Sequence, residues 1–497
     1  MSKSTATSEI AGSAEPGQGN RNGILCFVLS GWPASLQGRA AHALLELGVR
    51  LGLRFTIVSE HDRRPSQSTV VTYRFDGPGD LPCAWGRPSA IVRLPERTLW
   101  APRDDGGAPD VVAGVAELLS GAHERPLVAA DYDKLGRIKS ERHPLAKAGL
   151  LTAPLVEAAA AWLGEQLRKT GLVVERTSQP WPGSAQRAIV LSHDVDGPRL
   201  QSPRTLLRYL GYGFVMGATD GRASFIHGAL TRLARRPDPQ WTFEQWRRLE
   251  ASYRLRSTFF VYPGGAGAGR DARDPDYDPA EPALARELGA LAEQGWEIAV
   301  HTGLRVRSVA DYQAGCAHLR NAVPAAAISG ARPHYWGRDW QSPTATWATL
   351  DAAGYAYDAG ANPGSLGFRF GTSTPFLPSF VWRGDCEGLL VLPTAIMDSY
   401  AVKRTSPLPS PDREAALAAI EQAGAAEHGF LMLDWHERVL ANIGVWKGFM
   451  APLLERLNRW REDEEICFLT AGEAASHWRA HMKRCYIPLE RFPAVQP

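Results

Sequence analysis

The densest grouping of chemically capable side chains is His193-Asp194-Val195-Asp196, which follows the apolar run 188–191 and precedes Gly197-Pro198. Glycine and proline end regular structure there, so the pattern reads as a strand delivering an imidazole and two carboxylates at its C-terminal end. Asp-Gly-Pro alone would also make a good solvated turn. Two carboxylates this close are costly to crowd unless a cation or several donors balance them. The pattern recurs: apolar runs lead into His301-Thr302, Arg332-Pro333-His334, Asp358, Asp398 and Asp434-Trp435-His436. Carboxylate and imidazole ligands suit Zn²⁺ or a similar divalent ion. Such an ion lowers the pKa of bound water towards ~7 and polarises a carbonyl, two needs of amide hydrolysis. In that chemistry Asp194 or Asp196 serves as base, His436 protonates the leaving nitrogen, and Arg332 orients the base.

The elements that must hold these groups alternate. From 187 onward, strand-like runs at 257–262, 296–300, 325–329, 389–393, 429–433 and 466–469 are separated by helical patterns at 243–253, 283–294, 344–353, 414–423 and 446–460. Repeated βα units predict a parallel sheet with enough strands to close into a barrel, and the polar strand ends then converge on one rim. Ahead of it, 23–30, 54–59, 68–75 and 89–94 read as strands, and 39–51, 111–119 and 151–169 as helices, giving a first α/β layer of modest size. The polar stretch Asp131-Tyr132-Asp133-Lys134-Leu135-Gly136-Arg137 reads as an exposed binding loop or an interdomain clasp, the clasp being favoured because no second cluster in the first part of the chain answers it. The Ser, Gln, Pro and Gly of 176–185 read as a linker. The expected division is a disordered tail at 1–22, an α/β accessory domain at 23–175 and a barrel at 186–485.

At 497 residues the chain exceeds one ordinary core, and 44% hydrophobic with 22% charged residues describes a globular protein. A net charge of +2 gives no general basic field to recruit nucleic acid or an anionic membrane. Six scattered cysteines with no Cys-x-x-Cys pair predict reduced structural thiols. The first residues lack the basic and apolar regions of a signal peptide, and no apolar run reaches membrane-spanning length. The expectation is a cytoplasmic protein; the sequence does not address its oligomeric state.

Taken in order, these residues resemble the polysaccharide deacetylases, the NodB-type domain of the carbohydrate esterase four group, over about 187–477. The first motif is similar to Ile189-Val-Leu-Ser-His-Asp-Val-Asp-Gly-Pro198, and the second, Glu-Ile-x-x-His-Ser/Thr, to Glu297-Ile-Ala-Val-His301-Thr302. Arg332-Pro333 resembles the third, Tyr357-Asp358 stands where the fourth is expected, and 431–436 resembles the final strand ending in histidine. The resemblance implies a deformed (β/α) barrel of about seven strands preceded by a smaller α/β domain. It also implies a base at Asp194, metal ligands at Asp196 and His301, Arg332 orienting the base, and Asp358 with His436 as the acid-side pair. Val195 separates the aspartates, which leaves an exchange of their roles open. The family's second metal histidine falls four residues after the first, where this chain has Arg305, a cation that cannot ligate and would repel a metal. His193, His334 or another group must then complete the sphere around a divalent ion, expected to be zinc.

The function this implies is hydrolysis of a non-peptide C–N bond, removing an acetyl group from an N-acetylated sugar or polysaccharide precursor. The competing reading, favoured by Arg305, is a barrel that binds a glycan without turning it over. Hydrolysis of another small amide on the same barrel is a third. Tyr335, Trp336, Trp340 and Trp382 follow strand ends, where they could stack on sugar faces.

Overall fold

The computed structural model describes residues 10–12, 24–66, 68–75, 91–94, 97–102, 109–172, 176, 178–215, 219–337, 343–402, 408–489 and 492. Most of the 1–22 tail, Cys83 and Trp340 lie outside these residues. The first layer is a four-stranded sheet in the order β1 (Ile10–Gly12), β4 (Thr69–Arg74), β2 (Leu25–Ser30), β3 (Phe55–Ser59). β2 pairs parallel with both β3 and β4, and β1 antiparallel with β4. The run Cys26 to Leu29 is wholly buried, as a central parallel strand covered by helices requires. The helix Ala34–Leu51 packs against β2 and β3, and the helices Val111–Leu119 and Leu155–Lys169 pack on that helix and on each other. A separate antiparallel pair joins β5 (Ile91–Leu94) to β6 (Arg97–Trp100).

The second region is a closed barrel. β7 (Arg187–Val195), β8 (Thr258–Val261), β9 (Glu297–Thr302), β10 (Gly330–Pro333), β11 (Tyr357–Ala361), β12 (Leu390–Met397) and β13 (Phe430–Asp434) pair in sequence order, all parallel, and β13 returns to β7 with Leu431 beside Ile189. The expected seven-stranded (β/α) barrel is therefore what the chain forms, and closure leaves those strands no open edge. β14 (Ile466–Phe468) pairs with β7 as an eighth, outer strand.

Register fixes which side chains face inward. Asp194 stands beside Phe260, Phe260 beside Ala299, and Arg332 beside His301. Because alternate residues share a face, Ser192, Asp194, His301 and Arg332 point into the barrel and His193 points out. Ala331, not Arg332, is opposite Asp358, so Asp358 also points out. Near the lower end Tyr357 crosses Gly330 so closely that a Cβ there would lie 1.9 Å from the ring, and its hydroxyl donates to Glu297 Oε1 at 3.0 Å.

The two regions share one continuous hydrophobic core, from Phe27 and Leu163 to Val190 and Leu431. Polar ties cross the same seam. Arg50 Nη2 donates to Thr372 Oγ1 at 3.0 Å, Leu377 N to Glu46 Oε1 at 3.0 Å, and Arg369 clamps Glu124 with two bonds of 2.9 and 2.7 Å. Between β7 and β8 the chain inserts the helices Pro203–Leu210 and Thr219–Leu233 before the expected one at Phe243–Ser252. Among the described residues no helix is long and apolar enough to cross a membrane, and Cys26, Cys316, Cys386, Cys467 and Cys485 are unbridged.

Candidate metal centre and catalytic rim

The strand ends meet around Arg332. Its guanidinium is fully buried on the face of Phe260, 4.1 Å from the ring centre. It donates to Asp194 Oδ1 at 2.8 Å, to Ser192 Oγ at 2.8 Å and to Thr394 Oγ1 at 3.2 Å, and lies 3.0 Å from Asp434 Oδ1. Burial opposes the charge of Asp194, but Arg332, then His301 and His436, outweigh it and hold this carboxyl below its ordinary range. Asp434 goes the other way. Burial and then the neighbouring charge of Asp194 push it up against the pull of Arg332, so Asp194 is the more readily ionised member of the pair.

Above them Asp196, His301 and His334 bring three ligand atoms together. Asp196 Oδ1 is 3.2 Å from His301 Nε2 and 3.6 Å from His334 Nε2. Bonds of ~2.0–2.1 Å to a tetrahedral ion set its ligands roughly 3.3 Å apart, so these spacings suit a cation between them. Asp196 Oδ1 and His301 Nε2 are buried, and neither forms a hydrogen bond. The far ring nitrogens are both engaged: His301 Nδ1 donates to the Arg332 carbonyl at 3.1 Å, and His334 Nδ1 to Asp274 Oδ1 at 3.0 Å. Those bonds fix the tautomers that leave both Nε2 lone pairs facing Asp196. Burial disfavours the charge of Asp196, yet His334, then Arg438, and the close approach of His301 and His436 hold it well below its usual range. His334 sits on a single 3-10 turn, His334–Trp336, in which Tyr335 and Trp336 take φ of 55° and 56°. Left-handed backbone in two bulky residues is the strain expected where a side chain must be aimed.

His436 lies opposite. Its Nε2 is 3.3 Å from Asp196 Oδ2, and both its Nδ1 and its backbone N donate to Asp398 Oδ2, at 2.9 and 2.8 Å. Burial lowers its basicity, but Asp398 and Asp196 more than reverse this and raise it well above the ordinary histidine range. Asp194, Asp196, His334, His436, Trp336 and Tyr335 all line one cleft of about 150 Å³.

The chain thus brings together Asp194, Asp196, His301, Arg332 and His436, as expected, and leaves two expected residues out. His193 is not available as a ligand: it points out of the barrel, its Nδ1 bonded to the Trp435 carbonyl at 2.6 Å and its Nε2 to Glu250 Oε1 at 2.7 Å. Asp358 does not partner His436: it accepts from Trp347 Nε1 and Gly360 N, each at 3.0 Å, outside the barrel wall. Asp398, one of the polar strand ends, stands beside His436 instead, and His334 is the third member of the cluster with Asp196 and His301. Arg305 does not intrude. Its side chain is 58% exposed and turned to Asp271, with Nε 3.9 Å from Oδ2. Asp274 and Arg438 carry no strand-end signature in the sequence, Asp274 lying in the connection after β8 and Arg438 on the 3-10 turn Glu437–Ala441 beyond His436. The stretch 131–137 reaches the barrel through Arg137, which lies over the Tyr335 ring at 5.9 Å and lines the cleft, and just beyond the stretch Ser140 Oγ donates to the Gly364 carbonyl at 2.9 Å. Trp382 packs on Phe492 at 5.8 Å, away from the rim.

No protein-family model matches the chain, and neither does any curated protein. Solved structures similar to it include one assigned as a polysaccharide deacetylase from Mycobacterium smegmatis, with 17% identity and a TM-score of 0.38, covering 60% of this chain and 92% of the other. The PuuE allantoinase matches with 14% identity and a TM-score of 0.37, over 61% and 94%. A structure assigned as a polysaccharide deacetylase from Pseudomonas aeruginosa PAO1 matches with 13% identity and a TM-score of 0.36, over 62% and 96%.

Proposed function

We propose that the chain is a divalent-metal-dependent hydrolase of a linear amide C–N bond, and that it removes the acetyl group of an N-acetylated sugar. The observation that carries this is the buried pair Asp196 Oδ1 and His301 Nε2, which lack hydrogen bonds and stand with His334 Nε2 at ligand spacing, directly beside the Asp194–Arg332 pair. Asp196, His301 and His334 would hold the cation, with zinc matching the donor set. When bound, the ion supplies charge that polarises the amide carbonyl and acidifies water.

The protein side chains supply the proton transfers. Asp194 accepts a proton from the attacking water, and Arg332 keeps that carboxylate ionised and aimed. His436, held protonated by Asp398, donates to the leaving nitrogen, so that amide and water become a carboxylic acid and an amine. Asp194 and His436 both face the cleft, with atoms within 4.8 Å of one another, so base and acid serve one scissile bond. The turn of Arg305 towards Asp271, together with His334 beside Asp196, supports turnover over a glycan-binding module.

The test pairs metal analysis with acetate release from N-acetylated sugars. Purified protein is expected to take up about one equivalent of divalent ion. Asp194→Asn is expected to keep fold and metal while kcat falls roughly 10²–10⁴-fold, the ordinary worth of a general base. A protein that takes up no ion after reconstitution, or an Asp194→Asn variant of full activity, would sink the proposal.

A further inference from the structure

The rim carries more arginine than this hydrolysis uses. Arg137, Arg208, Arg273 and Arg438 all wall the 150 Å³ cleft, and a neighbouring depression of about 480 Å³ continues past Arg208 and Arg273. They arrive from four separate segments: the loop ahead of the barrel, the helix Pro203–Leu210, the stretch after β8 and the turn after β13. Two of them are neutralised locally. Arg273 Nε is 2.8 Å from Asp271 Oδ1, and Arg137 Nη2 is 2.7 Å from Asp133 Oδ2.

Of the other two, one is only partly engaged and one is open. Arg438 is only 8% exposed and lies over the Trp446 ring at 4.6 Å. It gives Nη2 to Asp196 Oδ2 at 3.1 Å, while its buried Nε and Nη1 have no hydrogen-bond partner. Arg208 is exposed, and its guanidinium forms no hydrogen bond or ion pair among the described residues. Both guanidinium groups close on one point: a Cβ built on Gly197 would lie 3.6 Å from Arg438 Nη1 and 3.8 Å from Arg208 Nη2. That point is one residue from Asp196. A buried guanidinium with open N–H groups is costly, and an acceptor anion removes the cost. The planar fork of arginine matches the paired oxygens of a carboxylate or a phosphate.

We propose, resting on the hydrolase reading above, that the substrate bears an oxyanion on or next to its N-acylated sugar, held by Arg208 and Arg438 beside the metal centre. A uronic acid carboxylate and a sugar phosphate present the same chemistry to this pair. The salt dependence of binding follows from exposure: Arg208 is at the mouth, where ions screen it, and Arg438 is sheltered.

The test uses the full-length, metal-loaded protein on N-acetylglucosamine, its 6-phosphate and an N-acetylated hexosaminuronic acid, with titration calorimetry of the same sugars on metal-free protein. One or both charged sugars are expected to exceed the neutral one in kcat/KM by tenfold or more, and which one does so identifies the anion. Arg208→Gln, at an exposed position, is expected to erase that preference through KM, and Arg208→Lys to restore part of it. Equal turnover of charged and neutral sugars, or a preference untouched by Arg208→Gln, overturns the inference. If no sugar is hydrolysed but charged sugars bind with an affinity that depends on Arg208, the hydrolase reading fails and the anion site stands. If there is neither turnover nor binding that depends on Arg208, both fail.

Discussion

Asp274 takes no part in the proposed proton transfers, yet it decides what His334 can do. Its carboxylate accepts from His334 Nδ1 at 3.0 Å and from the backbone N of Leu304, also at 3.0 Å, which locks the ring with Nε2 towards Asp196. Partners of this kind are worth about 10–100-fold in metal affinity. Asp274→Asn is expected to lower affinity by that factor in a chelator competition titration, with kcat of the metal-saturated protein far less affected. Asp398 and Asp358 make a sharper contrast, since the sequence suggests the second and the fold uses the first. Asp398→Asn is expected to cut kcat by about 10²-fold, because His436 loses the charge that keeps it protonated. Asp358→Asn is expected to leave kcat and KM in place and to lower stability by about 1–3 kcal/mol, since a buried acceptor of two hydrogen bonds is altered. Steady-state kinetics with a urea titration separates the two outcomes.

The strands make this contrast inevitable. In a barrel of parallel strands a one-residue difference in position moves a side chain from the interior to the helical layer, so Asp358 and His193 are excluded by parity rather than by distance. β10 is held against β11 by the crossing of Tyr357 over Gly330. Gly330→Ala places a methyl where the ring already stands. It is expected to destabilise the fold by about 1–3 kcal/mol, read as a lower urea midpoint at unchanged slope. The same displacement would shift Arg332, two residues on, so a loss of activity in excess of the stability loss is expected with it. A variant as stable as the parent would show that the ring has room to move.

Between the first layer and the barrel, four buried histidines sit along one seam. His42 Nε2 meets the Leu377 carbonyl at 2.6 Å, His123 Nε2 the Arg369 carbonyl at 3.2 Å, His143 Nε2 Glu124 at 3.2 Å, and His481 Nε2 the Val49 carbonyl at 2.9 Å. Burial depresses all four, His481 to about 4. A histidine with a folded pKa below its unfolded value of 6.5 binds fewer protons folded than unfolded. Its contribution is therefore present above 6.5 and is lost as pH falls towards the folded value. These four histidines are expected to contribute a decline in stability between pH 7 and pH 4.5, opposed over the same range by Asp434, whose raised pKa favours the fold as pH falls, and His481→Gln is expected to make the slope less steep in urea titrations. Glu124 acts in a lower window. Burial opposes its charge, but Arg369 and the two histidines outweigh it, so its stabilisation is lost only as pH drops below the ordinary 4.5.

Alternating apolar runs and helical patterns are local, and locality is why the barrel, the polar ends of its strands and the identities of Asp194, Asp196, His301, Arg332 and His436 could be read in one dimension. The apolar length of 188–191, the break at Gly197-Pro198 and the recurrence of Asp or His after each run are written in neighbouring residues. Partnership is not local. His334 at the metal centre, Asp274 behind it, Asp398 behind His436 and Arg137 at the rim depend on strand parity, on loop paths and on the packing of the first layer against the barrel. Each of those is set by the free energy of the whole packed core, which no short stretch of chain contains.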